Sequence, residues 1–269
     1  MSRQAAVADR FYDSDPVRLR QTLDKLILIP SVTKRMTAKA VITPHAGYVY
    51  SGGVAGETFA QIEIPETVII LGPNHHGFGA PLAVGTGDWD MPLGRVALAR
   101  DLVAAVMDGS NLFTPDNTAH QYEHSLGVQV PFLQYFQEKL RILPIVVSHL
   151  SFEQCQQAAS ELVRAVIQCE QPVLLVASTD MSHYVSREQA SKLDRLALDR
   201  ILHLNPELLY STVLISRKIS MCGIIPTTVI LLAAMELGAE RAELVRYSDS
   251  GEVSGDTDQV VGYAGVVIR

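Results

Sequence analysis

The stretch ETVIILGPNHHG, residues 66–77, joins a predicted buried strand to ligand-type side chains that follow it directly. Its first half is a continuous β-branched and apolar run instead of an alternating one, which is typical of a strand covered on both faces of a sheet. His75 and His76 come next, in a glycine-flanked turn. Similar runs elsewhere bring the predicted strands to five: residues 38–43, 66–71, 141–147, 172–177 and 260–268.

Segments between these strands carry apolar side chains at helical spacing. The predicted helices are residues 16–29, 125–136, 152–168, 187–202, 208–213 and 226–237. Gly238 is the predicted C-cap of the last one. Strands that alternate with helices indicate βαβ units. We therefore predict an α/β fold with a central, mostly parallel or mixed sheet flanked by helices, as a single domain over residues 1–269. Residues 77–96, rich in Gly and Pro, predict a loop or hairpin at the rim of the site.

The composition excludes several classes of protein. Of the 269 residues, 48% are hydrophobic and 19% are charged, which predicts a large core and no long disordered stretch. The net charge of -7 argues against a nucleic-acid partner. No apolar run reaches the roughly 20 residues that cross a bilayer, so we expect no membrane span. The N-terminus lacks a secretion signal, and three cysteines without a CxxC pair fit a reducing compartment, so we expect a cytoplasmic protein.

Ligand-type residues collect where predicted strands end. His45 follows residues 38–43, His75 follows residues 66–71, and Asp180 precedes His183 after residues 172–177. In open α/β sheets, ligands bind at the carboxyl ends of the strands. Neutral imidazole binds zinc, copper and iron, and a thiolate adds a soft donor. The sequence therefore predicts a metal site, although its spacing lacks the compact pattern of a zinc finger and also fits ordinary loop histidines.

Five segments resemble the successive motifs of the Memo family, in the family's order and across nearly the whole chain. They are residues 44–52 (PHAGYVYSG), 71–76 (LGPNHH), 123–126 (EHSL), 178–183 (STDMSH) and 222–223 (CG). One such motif is weak evidence, whereas five in order are specific. The resemblance implies a fold shared with class III extradiol dioxygenases, in which two histidines and a carboxylate hold a mononuclear non-haem iron.

The same resemblance implies a set of site residues. His45 and His75 would be metal ligands, and Cys222 would stand where the dioxygenases have glutamate. His183 resembles their acid/base histidine, with Asp180 as its orienting carboxylate. A thiolate in place of a carboxylate shifts the preference towards copper or zinc while leaving iron open, and it departs from the site with which those enzymes cleave rings. We expect iron or copper first and zinc third. The alternatives are a packed cysteine at Cys222 and a helix N-cap at Asp180.

Other residues receive less specific roles. Glu123 and His124 are predicted pocket residues with catalytic roles, and a carboxylate just before a helix also suits the positive end of the helix dipole. His76 is predicted to lie in the pocket wall, because adjacent loop residues seldom both reach one metal. Cys155 and Cys169 lie on or at the end of a predicted helix and are assigned to packing.

Three functions fit these residues. The first is a metal-dependent enzyme with redox or oxygen chemistry on a small substrate. The second is a non-enzymatic metal-binding or peptide-docking adaptor, in line with the signalling and the copper or iron handling to which animal Memo proteins are linked. The third is a zinc hydrolase. The expected partners are a small-molecule or peptide ligand in the cleft and, by the family's prokaryotic associations, a radical-SAM or AMMECR-type protein.

Overall fold

The centre of the molecule is a row of parallel strands. The computed structural model describes residues 2–28, 35–216 and 218–269. The strands in these ranges are β1 (Arg3–Gln4), β2 (Ala40–Thr43), β3 (Thr67–Pro73), β4 (Leu82–Val84), β5 (Trp89–Met91), β6 (Gly94–Leu98), β7 (Thr114–Pro115), β8 (Arg141–Val147), β9 (Val173–Ser178), β10 (His183–Val185), β11 (Ala242–Asp249) and β12 (Val260–Ile268). The helices are α1 (Pro16–Leu26), α2 (Tyr48–Ala60), α3 (Arg100–Met107), α4 (Val130–Phe136), α5 (Phe152–Gln168), α6 (Arg187–Leu202), α7 (Pro206–Ser216), α8 (Ile224–Glu236) and α9 (Gly251–Ser254).

In the described chain these strands form one mixed sheet. Its main path runs β1-β5-β6-β8-β3-β9-β2-β12-β10, and β4, β7 and β11 pair at its sides. The inner strands β6, β8, β3, β9 and β2 are parallel, and β12 runs antiparallel to β2. The predicted fold class, α/β with a central mixed sheet flanked by helices, is confirmed. The single domain over residues 1–269 stays a prediction.

Helices cover both faces of the sheet. In β3, Ile69 and Leu71 belong to the core that packs under α3, α5, α6, α7 and α8. The alternate residues Val68 and Ile70 belong to the core under α1, α2 and α4. All four side chains are fully buried. Because both faces are dry, the strand has no polar alternation, which explains the continuous apolar run in its sequence.

Several predicted bounds are confirmed residue for residue. They are those of residues 141–147, 152–168, 187–202 and 260–268. The remaining strands shift by one or two residues at an end. Gly238 has a φ of 87° just after α8, in the left-handed region expected of a C-cap glycine. Helix α1 ends at Leu26, and Ile29 of the predicted helix lies outside the described residues.

Two helices differ from their predictions near the site. The predicted helix 125–136 begins only at Val130, with Pro131 in its first turn, where proline is favoured. The residues before it form turns, because the backbone N–H of Ser125 donates to the Glu123 carboxylate. Helix α8 begins at Ile224 instead of residue 226, which places Cys222 just before its first turn. Helix α7 is longer than predicted.

Helix α2 was missed by the sequence analysis because three glycines lower its helical propensity. Their reason is packing. A Cβ atom added at Gly56 would collide with the carbonyl group of Leu26 in α1, so the two helices approach more closely than an alanine allows. Among the described helices, none has both the length and the apolar character of a membrane span.

Candidate metal centre

Three ligand-type side chains meet at the carboxyl edge of the parallel strands. His45 follows β2 and His75 follows β3, each two residues after the strand ends, and Cys222 lies two residues before α8. One ligand atom from each of the three lies within 4.8 Å of the other two. We call these residues the His/His/Cys cluster. The convergence expected from the strand-end positions is therefore present.

His45 is buried, and its ring orientation is set by Ser178 at the end of β9. The Nδ1 of His45 lies 2.9 Å from Ser178 Oγ. Ser178 donates its hydroxyl hydrogen to the Ser125 carbonyl at 2.7 Å and accepts a hydrogen bond from Gln129 Nε2 at 2.8 Å. The serine oxygen is therefore an acceptor for His45, so Nδ1 carries the hydrogen. This leaves the lone pair of His45 Nε2 available to a metal ion, 3.3 Å from Cys222 Sγ.

Gln129 holds this arrangement in place. Its amide nitrogen also donates to the Pro44 carbonyl at 2.8 Å, and its oxygen accepts from the Thr43 hydroxyl at 2.8 Å. The carbonyl partner fixes which end of the amide faces Ser178. Ser178 lies within a predicted motif, but the sequence analysis assigned no role to either Ser178 or Gln129. In the sequence they are an ordinary serine and an ordinary glutamine among apolar residues. Only their hydrogen bond in the folded chain marks them as functional.

Burial keeps His45 neutral. It lowers the pKa of His45 well below its usual value, and the nearby His124 and His75 lower it further. The neutral imidazole is the form that binds a metal ion. The protonation state and the tautomer of His45 are thus both those of a ligand.

His75 reaches the same tautomer through a carboxylate. Its Nδ1 lies 2.9 Å from Glu123 Oε1, and its backbone N–H donates to Glu123 Oε2 at 2.7 Å. Glu123 is buried, and burial alone would raise its pKa, but hydrogen bonds from His75 and from the backbone of Ser125 hold that pKa well below the usual range. The ionised carboxylate accepts the Nδ1 hydrogen, so Nε2 of His75 remains free.

Cys222 faces the His45 ring as a thiol. Burial, followed by the neighbouring Asp180, raises the pKa of Cys222 above its ordinary value. The backbone N–H of Asp180 donates to Cys222 Sγ at 3.3 Å, and the Gly223 N–H donates to the Thr179 hydroxyl at 2.9 Å. A metal ion bound here would displace the thiol proton, because metal binding to cysteine releases that proton. Two imidazole nitrogens and one thiol sulfur fit a soft or borderline divalent metal ion.

Asp180 and His183 do not pair as predicted. Asp180 is buried, and its Oδ1 accepts the backbone N–H of His45 at 2.8 Å. Burial raises the pKa of Asp180 to about 6 despite that hydrogen bond. His183 Nδ1 instead donates to the Ser220 carbonyl at 2.9 Å, and its backbone N–H donates to the Ser220 hydroxyl. The prediction of Asp180 as the orienting group of His183 is wrong, because the Ser220 backbone holds that position; Nε2 of His183 has no hydrogen-bond partner in the described ranges.

His124 packs beside the cluster. Its ring is stacked on that of His75, with centroids 4.7 Å apart, and stands edge-on to the ring of His45 at 5.5 Å. Burial lowers the pKa of His124 to about 4. His75, Glu123 and His124 also form a second group whose ligand atoms lie within 4.8 Å of one another. Glu123 does not precede a helix as predicted, since turns separate it from α4.

Two further histidines and the other two cysteines lie outside the cluster. His76 is exposed, and its Nε2 donates to the Tyr122 carbonyl at 3.1 Å; its place in the pocket wall stays a prediction. His120 is buried, and its Nε2 donates to the Ala83 carbonyl at 2.9 Å. Cys155 is fully buried in the core of α5, as expected for a packing residue, and Cys169 ends that helix.

Comparison with known proteins decides the family. The model of the Memo family, described as Memo-like protein, matches residues 3–267. The chain belongs to the Memo family. A MEMO1 family protein of Aquifex aeolicus is 41% identical over 267 residues, covering 98% of each chain. One from Archaeoglobus fulgidus is 40% identical over 267 residues, covering 99% of each chain.

The Memo resemblance predicted from the sequence motifs is thus confirmed over the full length of the chain. A solved structure is similar in fold: an uncharacterized protein of Escherichia coli K12, with a TM-score of 0.51 and 13% identity. The similarity covers 83% of this Memo chain and 98% of the other. At that identity it shows the fold alone. The relation to class III extradiol dioxygenases stays a prediction.

Proposed function

We propose that the protein binds one metal ion through Nε2 of His45, Nε2 of His75 and Sγ of Cys222. The observation that carries this proposal is the shared tautomer of the two histidines. Each commits its Nδ1 hydrogen to an acceptor, Ser178 or Glu123, and keeps Nε2 as its free donor atom beside a thiol. Iron and copper are the metals that we favour, with zinc as the third: the thiolate favours copper, and iron is the metal that the family resemblance implies.

We further propose that the site is that of an enzyme with redox or oxygen chemistry on a small substrate, as the resemblance to class III extradiol dioxygenases implies. A bound iron or copper ion would supply Lewis acidity and one-electron redox chemistry there. His183 would move a proton to or from the substrate, because its Nδ1 hydrogen is held by the Ser220 carbonyl and its Nε2 is free to accept one.

Three further residues would support this chemistry in different ways: Asp180, Glu123 and His124. Asp180 holds the backbone of His45 through the N–H bond, which fixes the position of the ring. Glu123 fixes the tautomer of His75 and contributes the one buried negative charge of that pair. His124 shields the stacked face of His75 from water.

A non-enzymatic role is the second candidate. In the described chain, the exposed Phe and Tyr side chains all lie within five positions of a site residue in the sequence: Tyr50, Phe78, Tyr122 and Tyr184. A peptide-docking adaptor would use exposed aromatic side chains of this kind. A zinc hydrolase, with His183 as acid/base, is the third. We also propose a cytoplasmic location, in keeping with three free cysteines, and a radical-SAM or AMMECR-type partner.

Metal analysis of protein purified without oxygen tests the first proposal. Wild type should contain close to one metal ion per chain, and Cys222→Ala and His45→Ala should lose it. Cys169→Ala is the matched control, because this partly buried cysteine at the end of α5 lies outside the cluster and should leave the metal content unchanged. Wild type that stays metal-free and cannot be loaded with iron, copper or zinc would refute the metal site.

Turnover assays separate the three functions. A redox enzyme should act only with reduced iron or copper and oxygen, a hydrolase should act with zinc in the absence of oxygen, and an adaptor should act under neither condition. His183→Gln should abolish turnover in both enzyme cases while leaving the metal bound. Turnover that survives in Cys222→Ala would contradict an enzymatic role for the cluster.

A further inference from the structure

An open cavity of about 750 Å³ lies between the N-terminal loop and the first turn of α2. Its walls come from the loop of residues 9–13, from α1 and from the start of α2. None of the three cluster residues lines the cavity, but Gly47 in its lining lies two residues after His45, and the Phe11 ring stands edge-on to the His124 ring, with centroids 4.9 Å apart. Its size suits a small organic molecule.

The charges around this cavity are not balanced. Arg18 is paired with Asp13 at 2.6 Å, so that pair is neutral. Asp9 accepts the backbone N–H of Ser14 at 2.9 Å. Arg10 and Lys25 also line the cavity, and neither forms an ion pair with any residue in the described ranges. The cavity therefore has an excess of positive charge in a chain whose net charge is -7.

Arg10 lies in the cavity lining next to Phe11, and its side chain is exposed. No carboxylate within ion-pair distance compensates it in the described chain. An unpaired arginine at the mouth of a cavity is a receptor for an oxyanion, because its planar fork matches a carboxylate in two parallel hydrogen bonds.

The surrounding groups favour the same kind of ligand. Helix α2 begins at Tyr48 in the cavity wall, where the Tyr48 N–H donates to the Phe11 carbonyl at 2.8 Å. The positive end of the helix dipole adds to the field of Arg10. Phe11 and the exposed Tyr50 supply apolar surface beside these charges. The cavity thus offers one anion-binding end and one aromatic wall.

We propose that this cavity binds a small organic carboxylate, with the carboxylate held by Arg10 and the apolar part packed on Phe11 and Tyr50. Arg10 is then the residue that selects anionic over neutral ligands. The assignment of this ligand as substrate rests on the proposed function. The binding itself does not, because no cavity charge named here belongs to a metal ligand.

Calorimetric titration of the full chain with sodium benzoate tests this proposal, using benzamide as the neutral analogue and inorganic phosphate as a second anion. We expect benzoate to bind more tightly than benzamide or phosphate. Arg10→Gln should weaken benzoate at least about tenfold, as for other hydrogen bonds to a charged group, and leave benzamide unchanged. Lys39→Gln is the matched control, since it removes one exposed positive charge at the opposite end of β2.

The titrations are run on metal-free and on zinc-loaded protein, so that the two proposals fail separately. Arg10-dependent benzoate binding in protein that takes up no metal would retain this inference and refute the metal site. Equal binding of benzoate and benzamide, an unchanged affinity in Arg10→Gln, or an equal loss in Lys39→Gln would each overturn it. Tighter binding of phosphate than of benzoate would replace a carboxylate ligand by a phosphate and overturn the assignment.

Discussion

His45 and His75 reach the same tautomer by opposite routes. His45 is buried and is held by an uncharged network, in which Ser178 and Gln129 orient the ring and burial keeps it neutral. His75 lies at the surface, with 30% of its side chain exposed, and is held by the ionised Glu123. The orientation of His45 depends on uncharged partners, whereas the orientation of His75 depends on the negative charge of Glu123. The two histidines should therefore respond differently to acid and to loss of a partner.

The largest expected effect is the cost of burying a neutral histidine, and it can be measured at His120, away from the cluster. Burial lowers the pKa of His120 to about 4, below the unfolded value of 6.5. Between those values the unfolded chain takes up a proton that the folded chain does not, so stability falls as the pH falls from about 6.5 to 4. The shift corresponds to about 3 kcal/mol.

Urea unfolding at pH 7.5 and pH 4.5 checks this sign. Wild type should lose more stability over that interval than His120→Gln, whose amide can still donate to the Ala83 carbonyl. The same loss in both proteins would contradict the pKa assignment for His120.

Glu123→Gln should weaken metal binding about 10–100-fold, because the amide no longer fixes the His75 tautomer by charge. It also removes the strongest acceptor from three backbone N–H groups, those of His75, His124 and Ser125. Competition with a chelator measures the affinity. Glu66→Gln is the control, since this half-exposed carboxylate precedes the same strand at its other end. An unchanged affinity in Glu123→Gln would show that charge is not what orients His75.

Ser178→Ala should have a smaller effect on metal affinity, about tenfold, because it removes an uncharged partner of His45. It also leaves the Gln129 amide and the Ser125 carbonyl without that partner, at a cost of about 1–3 kcal/mol in folding stability. Ser148→Ala, one residue after β8, is the control for a serine at the same edge of the sheet. A larger loss of metal affinity in Ser178→Ala than in Glu123→Gln would contradict this ranking.

The smallest expected effect on metal affinity is that of His183→Gln. His183 is bound to Ser220 and not to a ligand of the cluster, so its loss should change the affinity less than about twofold, within the range of neutral surface substitutions. The same chelator competition checks it. A tenfold loss would place His183 among the metal ligands and would contradict its separation from the cluster.

The features that could be predicted from the sequence are those set by a local sequence pattern. Strand β3 and the histidine after it were predictable because a buried strand has a distinct composition and because strand ends converge. Cys222 came from the family resemblance and not from its spacing. The Asp180–His183 pairing failed, since nearness in sequence favoured Asp180 while the fold brings Ser220 to His183 Nδ1.

The residues that fix the tautomers were harder to predict. Ser178 and Gln129 are 49 positions apart, and their meaning arises only when β9 and the turn before α4 meet. The N-terminal loop supplied Arg10 and Phe11 to the cavity by the same kind of long-range contact. A strand or helix is encoded by its own residues, whereas a hydrogen-bond network is encoded by residues that the chain order keeps apart.

X-ray absorption at the metal edge, on metal-loaded wild type and Cys222→Ser, tests the central claim most directly. The claim is that two imidazole nitrogens and one thiolate sulfur bind a single ion. We predict one sulfur scatterer and imidazole scattering in wild type, with the sulfur contribution absent from Cys222→Ser. A wild-type spectrum without sulfur, or identical spectra for the two proteins, would contradict the His/His/Cys site.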